Sequence, residues 1–357
     1  MLNPYTKSAM SKWIDTTIEE RKLMLQRVAE SKKFADSAAE KDWWVTLVLK
    51  AIFSMPISSY LLFKGGTSLS KGWGLISRFS EDIDLTLSQR FFIEKKQLPF
   101  AECRNNQQIK LLRKASRDFI VNELCASLRE SIEETGVSDF ELRPIITKRT
   151  ADGTIVQIDH DSDPTLLELQ YASITSSKQS YIQPVVKIEI SCLGMDEPYE
   201  MRHIRSLVSE LFPDEDDEIQ CNIPTVTPAR TFLEKVFLLN EEFQRSNPRS
   251  IRMSRHLYDL ERLMDTPFSA SALKDKALYK SIVEHRKRFY HVGNVNYEKD
   301  MPHFVDIIPV GKLSESYKTD YENMLASYIY DRENAPNYET LINKISELQE
   351  RIRQIND

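Results

Sequence analysis

Two adjacent glycines, Gly65 and Gly66, followed sixteen residues on by the alternating stretch Asp82-Ile83-Asp84-Leu85-Thr86-Leu87, constrain this chain more than any other feature. The apolar run Tyr60 to Phe63 stops at the glycines, and Thr67, Ser68 and Ser70 come next. That order predicts a strand, a tight turn and a helix start, the helix running about three turns past Lys71 and Trp73. Glycine removes the Cβ that would block close backbone approach, and hydroxyls together with the orphan N–H groups of a helix N-terminus suit phosphate oxygens. Beyond Arg78, Phe79, Ser80 and Glu81 the alternation predicts a second strand. Residues two apart on a strand point to the same side, so Asp82 and Asp84 present two carboxylates on one face while Ile83 and Leu85 enter the core. Two hard oxygen ligands so placed suit Mg²⁺ beside a nucleoside triphosphate.

The segments Phe63-Lys64-Gly65-Gly66-Thr67-Ser68-Leu69-Ser70 and Arg78-Phe79-Ser80-Glu81-Asp82-Ile83-Asp84-Leu85 closely resemble the first motif of the AbiEii/AbiGii toxin nucleotidyltransferases. That family is a branch of the DNA polymerase β-like superfamily and includes the mycobacterial MenT toxins. The superfamily pattern is Gly-Ser, about ten residues, then Asp-x-Asp. Here Thr67 stands where the serine usually is, and 14 residues separate Thr67 from Asp82. Both departures resemble the AbiEii branch, and either Thr67 or Ser68 would contact the triphosphate.

A chain of 357 residues exceeds what one core usually holds, so two domains are expected. Composition, 41% hydrophobic and 29% charged, is that of a soluble globular protein. The four cysteines, Cys103, Cys125, Cys192 and Cys221, show no Cys-x-x-Cys spacing and follow no secretory signal, so a reducing cytoplasm is the expected location. Trp43 to Phe63 contains Lys50 and Pro56, and it divides into a helix ending near Met55 and a strand beginning near Tyr60 rather than a membrane span. A net charge of −6 argues against wholesale coating by nucleic acid, so any RNA contact must be local.

Helical spacing marks Ile14 to Val28 and Glu40 to Met55, and Gln89 to Phe100 is loop-like. Residues 105–134 form a long mixed-charge helix ended by Gly136, and strand-like runs follow at Phe140 to Thr147, Thr165 to Ile174, Ile182 to Ser191 and Ile219 to Val226. The acidic run Asp214 to Glu218 is expected to be a solvated loop. Within Val185 to Ile190, Glu189 is a carboxylate in an apolar strand, either paired with Lys187 on a solvent face or serving as a third metal-side acid. Polymerase β-like enzymes complete their metal site with such an acid, which can also help deprotonate the attacking hydroxyl.

Past Pro228 the periodicity becomes helical, which sets the domain boundary near 226. Thr227 suits an N-cap and Pro228 the first helical position. Lys235 lies within the apolar stripe Phe232, Leu233, Val236, Phe237 and Leu239, where it either snorkels or meets a phosphate. Asp259, by spacing alone, would pair with Arg255 or Arg262 on a helix surface. In the AbiEii-like family a lysine in a Glu-Lys pair and an aspartate in an Arg-His-x-x-Asp-Leu motif are active-site residues, and here Glu234-Lys235 and Arg255-His256-Leu257-Tyr258-Asp259-Leu260 carry Lys235 and Asp259 into those places. Residues 245–288 hold eleven Lys or Arg against five Asp or Glu, a surface suited to a polyanion. His285, His291 and His303 lack zinc-ligand spacing, and the stripe Tyr338, Leu341, Ile345, Leu348 and Ile352 packs onto the helical half.

The expected architecture is α/β (α+β): a polymerase β-like nucleotidyltransferase fold with a mixed sheet over residues 1–225, then an α-helical C-terminal domain over 226–357, the active site lying in the cleft between them. The expected cofactor is Mg²⁺ or Mn²⁺, held by Asp82, Asp84 and Glu189. The expected substrate is an NTP, gripped by Gly65, Gly66, Thr67, Ser68, Arg78 and Lys235, while Asp259 orients a ligand or the acceptor. The resemblance implies tRNA 3′ ends as acceptor, a growth-inhibiting role often linked to phage defence and a separately encoded antitoxin; the absence of a membrane-spanning stretch leads to the expectation of no membrane partner. The alternatives are transfer to a small molecule or a protein hydroxyl, or a silent module that binds nucleotide or RNA.

Overall fold

Alternation in the sequence becomes alternation across a sheet. The computed structural model describes residues 12–150, 152–175, 182–213, 220–290, 293–329 and 331–355. They fall into two units, one of Met1–Gly72 and Ser80–Thr225, the other of Trp73–Phe79 and Val226–Asp357.

In the first unit the strands are β1 (Leu61–Lys64), β2 (Asp82–Leu87), β3 (Phe140–Pro144), β4 (Thr147–Arg149), β5 (Ile155–Gln157), β6 (Thr165–Tyr171), β7 (Val185–Ser191), β8 (Tyr199–Arg205) and β9 (Gln220–Val226). Seven of them form one sheet in the order β3-β6-β7-β2-β1-β9-β8, while β4 and β5 make a separate hairpin. The large sheet is mixed, because β2 runs antiparallel to β1 and parallel to β7, and β9 runs parallel to β1. Phe63, Ile83, Leu85, Val186, Ile188 and Ile190 point to one side and are sealed from solvent. Burial of each such side chain stabilises the fold by about 1.5–3 kcal/mol.

The helix Asp36–Ser54 and the long helical rod 106–133 cover this apolar face. Trp44 of the former stacks on Tyr171 of β6, ring centroids 4.7 Å apart. The rod starts at the N-cap Asn105, whose side chain accepts from Gln108 N–H at 3.0 Å, and it contains one π turn, Ile120–Leu124. The opposite face of the sheet is polar and carries Lys64, Asp82, Asp84, Thr86, Lys187 and Glu189.

Several expectations shift. The expected helix Ile14 to Val28 divides: Ile14 falls in a single turn, Lys12–Asp15, and the long helix is Ile18–Lys32, started by a Thr17–Glu20 capping box. Gln89–Glu94 is a helix, not a loop, because Ser88 caps it and Phe91 and Phe92 bury against each other and Phe119. The helix after the glycines is shorter than three turns: Gly65–Thr67 continues as a π turn over Ser68–Gly72 and stops there. The strand β8 was not anticipated; it lies at the sheet edge, and its first three residues are exposed, so no apolar alternation marks it. The acidic run 214–218 and His291 lie outside the described residues. Among the described residues no helix is long and apolar enough to cross a membrane.

The second unit is helical, with Pro228–Phe243, Ser254–Leu263, Pro267–Lys274, Lys276–Phe289, Gly311–Ser327 and Tyr338–Arg353 as its main elements. Thr227 caps the first and Pro228 sits in its first turn. Leu341, Ile345, Leu348 and Ile352 are fully buried, and their helix packs on Ser254–Leu263. The segment Trp73–Phe79 belongs here as well. The Trp73 indole N–H donates to Val226 O at 3.1 Å, Phe79 N–H donates to Tyr328 O at 2.7 Å, and Arg78 forms a β-bridge with Ile329.

Candidate active site

The residues singled out from the sequence fall into two sets, one in each unit. In the first unit, strand register builds the site. Lys64 of β1 is the direct partner of Asp84 of β2, and Asp84 is the partner of Glu189 of β7. Asp82, two residues back, pairs with Lys187. Cross-strand partners share a face, so Asp82, Asp84 and Glu189 project from the same side of the sheet, all three partly exposed. Lys187 lies on that side too, beside Asp82, and is exposed.

The turn that begins at Gly65 is shaped around these acids. Gly65 has φ +78°, and a Cβ added there would lie 2.0 Å from Asp84 Oδ2. Both the backbone and the space therefore require glycine. Thr67 and Ser68 are fully buried. The Thr67 hydroxyl donates to Asp82 O at 2.5 Å and lies 2.9 Å from Ser80 Oγ, while the Ser68 hydroxyl donates to Gly65 O at 2.9 Å. Both hydroxyls thus fasten the turn, to the start of β2 and to itself. Two buried ion pairs from the helix Asp36–Ser54 brace the same region: Lys41 with Glu81 at 2.7 Å and Lys71 with Asp42 at 2.5 Å. Asp42 also accepts from Leu207 N–H at 2.7 Å.

Three carboxylates on one face, one of them seated against a glycine that leaves room for nothing else, fit a hard divalent cation in donor type. Among the described residues no three His, Cys, Asp or Glu side chains converge as a preformed cage. Mg²⁺ is ordinarily held by one or two carboxylates, with substrate phosphates and water completing its shell, so the donor set is adequate without a cage.

In the second unit Asp259 is the centre. It is fully buried and accepts from both edges of Arg78, Nε to Oδ1 at 2.7 Å and Nη2 to Oδ2 at 2.8 Å. The Lys235 ammonium meets the same Oδ2 at 2.9 Å. Burial alone would raise the Asp259 carboxyl, but the Arg78 and Lys235 charges overcome it and hold the group far below the usual carboxylate range. Burial lowers Lys235, with Asp259 opposing that shift. His256, one turn before Asp259, is pushed well below the ordinary imidazole value by burial and by Lys235 and Arg255, so it is neutral at physiological pH. Its Nδ1 is buried without a hydrogen-bond partner. Lys235 does not snorkel, and Asp259 pairs with Arg78 and Lys235 rather than with the helix-surface arginines considered from spacing.

The basic run 245–288 is partly consumed internally. Arg249 clamps the buried Glu242 at 2.7 and 3.0 Å, Arg286 clamps Glu241 at 2.5 and 2.8 Å, and the Arg252 guanidinium lies over the Tyr328 ring. Lys274, Lys276 and Lys280 remain on the surface. Sequence reasoning gave no role to Lys41 and Asp42, whose signal is only that of charged residues in a helical stretch, and it met His256 only as a member of the Arg-His-x-x-Asp-Leu motif.

A mixed sheet that presents Asp-x-Asp and a third acid beside a Gly-Gly turn, followed by a helical unit, defines the nucleotidyltransferase class. The family described as nucleotidyl transferase AbiEii toxin of type IV toxin–antitoxin systems matches residues 48–344, and the chain belongs to that family. It is thus a nucleotidyltransferase toxin of a type whose antitoxin is a separate partner. Among solved structures the chain is similar to the nucleotidyltransferase toxin MenT4 of Mycobacterium tuberculosis, at 16% identity over 94% of this chain and 99% of that one, with a TM-score of 0.42. No curated relative matches.

Proposed function

We propose that the protein transfers a nucleoside monophosphate from an NTP to the 3′ end of tRNA, with Asp82, Asp84 and Glu189 holding Mg²⁺ or Mn²⁺. The observation that carries this reading is the shared face of those three acids next to Gly65, in a chain of nucleotidyltransferase family. An acceptor hydroxyl attacks the α-phosphorus, a new P–O bond forms, the bond to the β-phosphate oxygen breaks, and pyrophosphate leaves. Glu189 takes the proton of the attacking hydroxyl. The divalent cation, when bound, supplies charge stabilisation to the phosphate oxygens. The turn Gly65–Ser68 positions the triphosphate through its backbone, its two hydroxyls being engaged in holding the turn closed. Lys235 and Asp259 occupy the places that the family pattern marks as active-site residues, and Asp259 holds Lys235 and Arg78 by direct ion pairs. Catalysis in this scheme is mostly positioning and electrostatic stabilisation.

The test is incubation with each α-labelled NTP, Mg²⁺ and total tRNA, comparing wild type, Asp84→Asn and Lys274→Glu/Lys276→Glu/Lys280→Glu. Label in tRNA that is lost with Asp84→Asn supports the reading. The triple reversal is expected to weaken transfer to tRNA and flatten its salt dependence while leaving NTP use intact, because phosphate contacts act through counterion release. Label in protein or in a small molecule, with activity that resists salt, would replace tRNA as the acceptor. Full activity in Asp84→Asn would remove the carboxylate site.

A further inference from the structure

One cation is built into the row of acids, and the role inferred for it rests on the proposed metal-carboxylate site. Lys64 ends β1, is half-buried, and stands directly opposite Asp84, which stands beside Glu189, so Lys64, Asp84 and Glu189 form one line across three adjacent strands. Opposed residues on one sheet face have Cβ atoms about 4.5–5.5 Å apart, well within reach of a lysine stem. Burial raises the Asp163 carboxyl at the end of β7, and the bonds it accepts from Ser191 Oγ at 2.5 Å and Cys192 N–H at 2.9 Å oppose that shift, as does, least of all, the Lys64 charge. The other lysine of this face, Lys187, is exposed and lies beside Asp82 at the opposite end.

We infer that Lys64 is a positioning residue of the carboxylate site: its ammonium balances Asp84 and Glu189 while no divalent cation is held, and it opposes cation binding until the triphosphate supplies compensating negative charge. Like-charged carboxylates gathered on one sheet face repel. A fixed ammonium relieves that repulsion and keeps the acids in place. The same positive charge repels an incoming divalent cation, which makes bare metal bind weakly and the metal–nucleotide complex bind well.

Removing the charge should therefore move two quantities in opposite directions. Titration of wild type, Lys64→Met, Lys64→Gln and Lys64→Arg with Mn²⁺ by calorimetry, together with thermal melts in chelator and in Mn²⁺, gives both. Lys64→Met and Lys64→Gln are expected to bind bare Mn²⁺ about 3- to 10-fold more tightly, since one nearby charge at partial solvent exposure is worth that much against a divalent ion. Their melting temperature in chelator should fall below wild type and recover in Mn²⁺, while Lys64→Arg follows wild type in both. Unchanged Mn²⁺ affinity in both neutral variants overturns the inference. A raised KM for the NTP with bare Mn²⁺ affinity unchanged also overturns it, and makes Lys64 a phosphate ligand instead. Asp84→Asn serves as reference: if it binds Mn²⁺ as wild type does, the carboxylate site itself fails, an outcome separate from failure of Lys64 within an intact site.

Discussion

Gly65 is the residue on which the first unit's site turns. Replacement by alanine meets two penalties: a positive φ that costs an L-residue about 1–2 kcal/mol, and a Cβ placed where Asp84 Oδ2 lies. Gly65→Ala should keep the fold, lowering the melting temperature by a few degrees, yet reduce kcat/KM for nucleotidyl transfer at least about 100-fold by displacing a carboxylate. A melt and steady-state kinetics on one preparation check this, and a Gly65→Ala protein with wild-type kinetics would show that Asp84 need not sit there. Asp259 makes the corresponding case in the second unit. Asp259→Ala leaves Arg78 and Lys235 buried side by side without their counter-charge, which should cost about 3–5 kcal/mol in urea denaturation at pH 7. The folded-state value of its carboxyl is depressed, so its contribution to stability is present above about pH 4, the unfolded value, and is lost as pH falls toward the folded one. Wild type should thus lose stability below about pH 4 more steeply than Asp259→Ala does.

At the level of elements, β2 was legible because six residues alternate without interruption and its polar half carries chemistry. The helix Pro228–Phe243 was legible from its cap, its proline and its stripe. Glu189 could be assigned a side but not a neighbour, since alternation fixes which face a residue takes and says nothing of which strand lies alongside. Only the register with β2 brings it next to Asp84. The same limit hid Lys64: it was visible as part of a motif, whereas its place opposite an acid comes from an antiparallel pairing. Charge counts along the chain misled in the opposite sense. Arg249 and Arg286 contributed to a basic surplus, yet each is bound to a buried glutamate, Glu242 and Glu241, that lies elsewhere in the sequence. A surplus becomes a surface only where the side chains are exposed, as Lys274, Lys276 and Lys280 are.

For the whole molecule, the division of the chain differs from a single cut near residue 226. Trp73–Phe79 packs with Val226–Asp357, so a fragment of residues 226–357 lacks Arg78, which forms the β-bridge with Ile329 and supplies the guanidinium that meets Asp259. Produced alone, that fragment should unfold at lower urea than one in which residues 73–79 are joined to it through a flexible linker. Equal midpoints for the two would mean the segment contributes little to the helical unit.

The excursion of seven residues also bears on how such a protein can be inherited. A motif that is contiguous in the gene, from Gly65 through Asp84, is split in space, its middle belonging to the other unit. A recombination event at the apparent boundary would give the helical unit a new partner but would leave Arg78 behind with the sheet. The two halves are therefore tied as a lineage: the sheet can acquire a different helical partner only if that partner brings an acid able to receive Arg78, or if the middle of the motif is exchanged along with it.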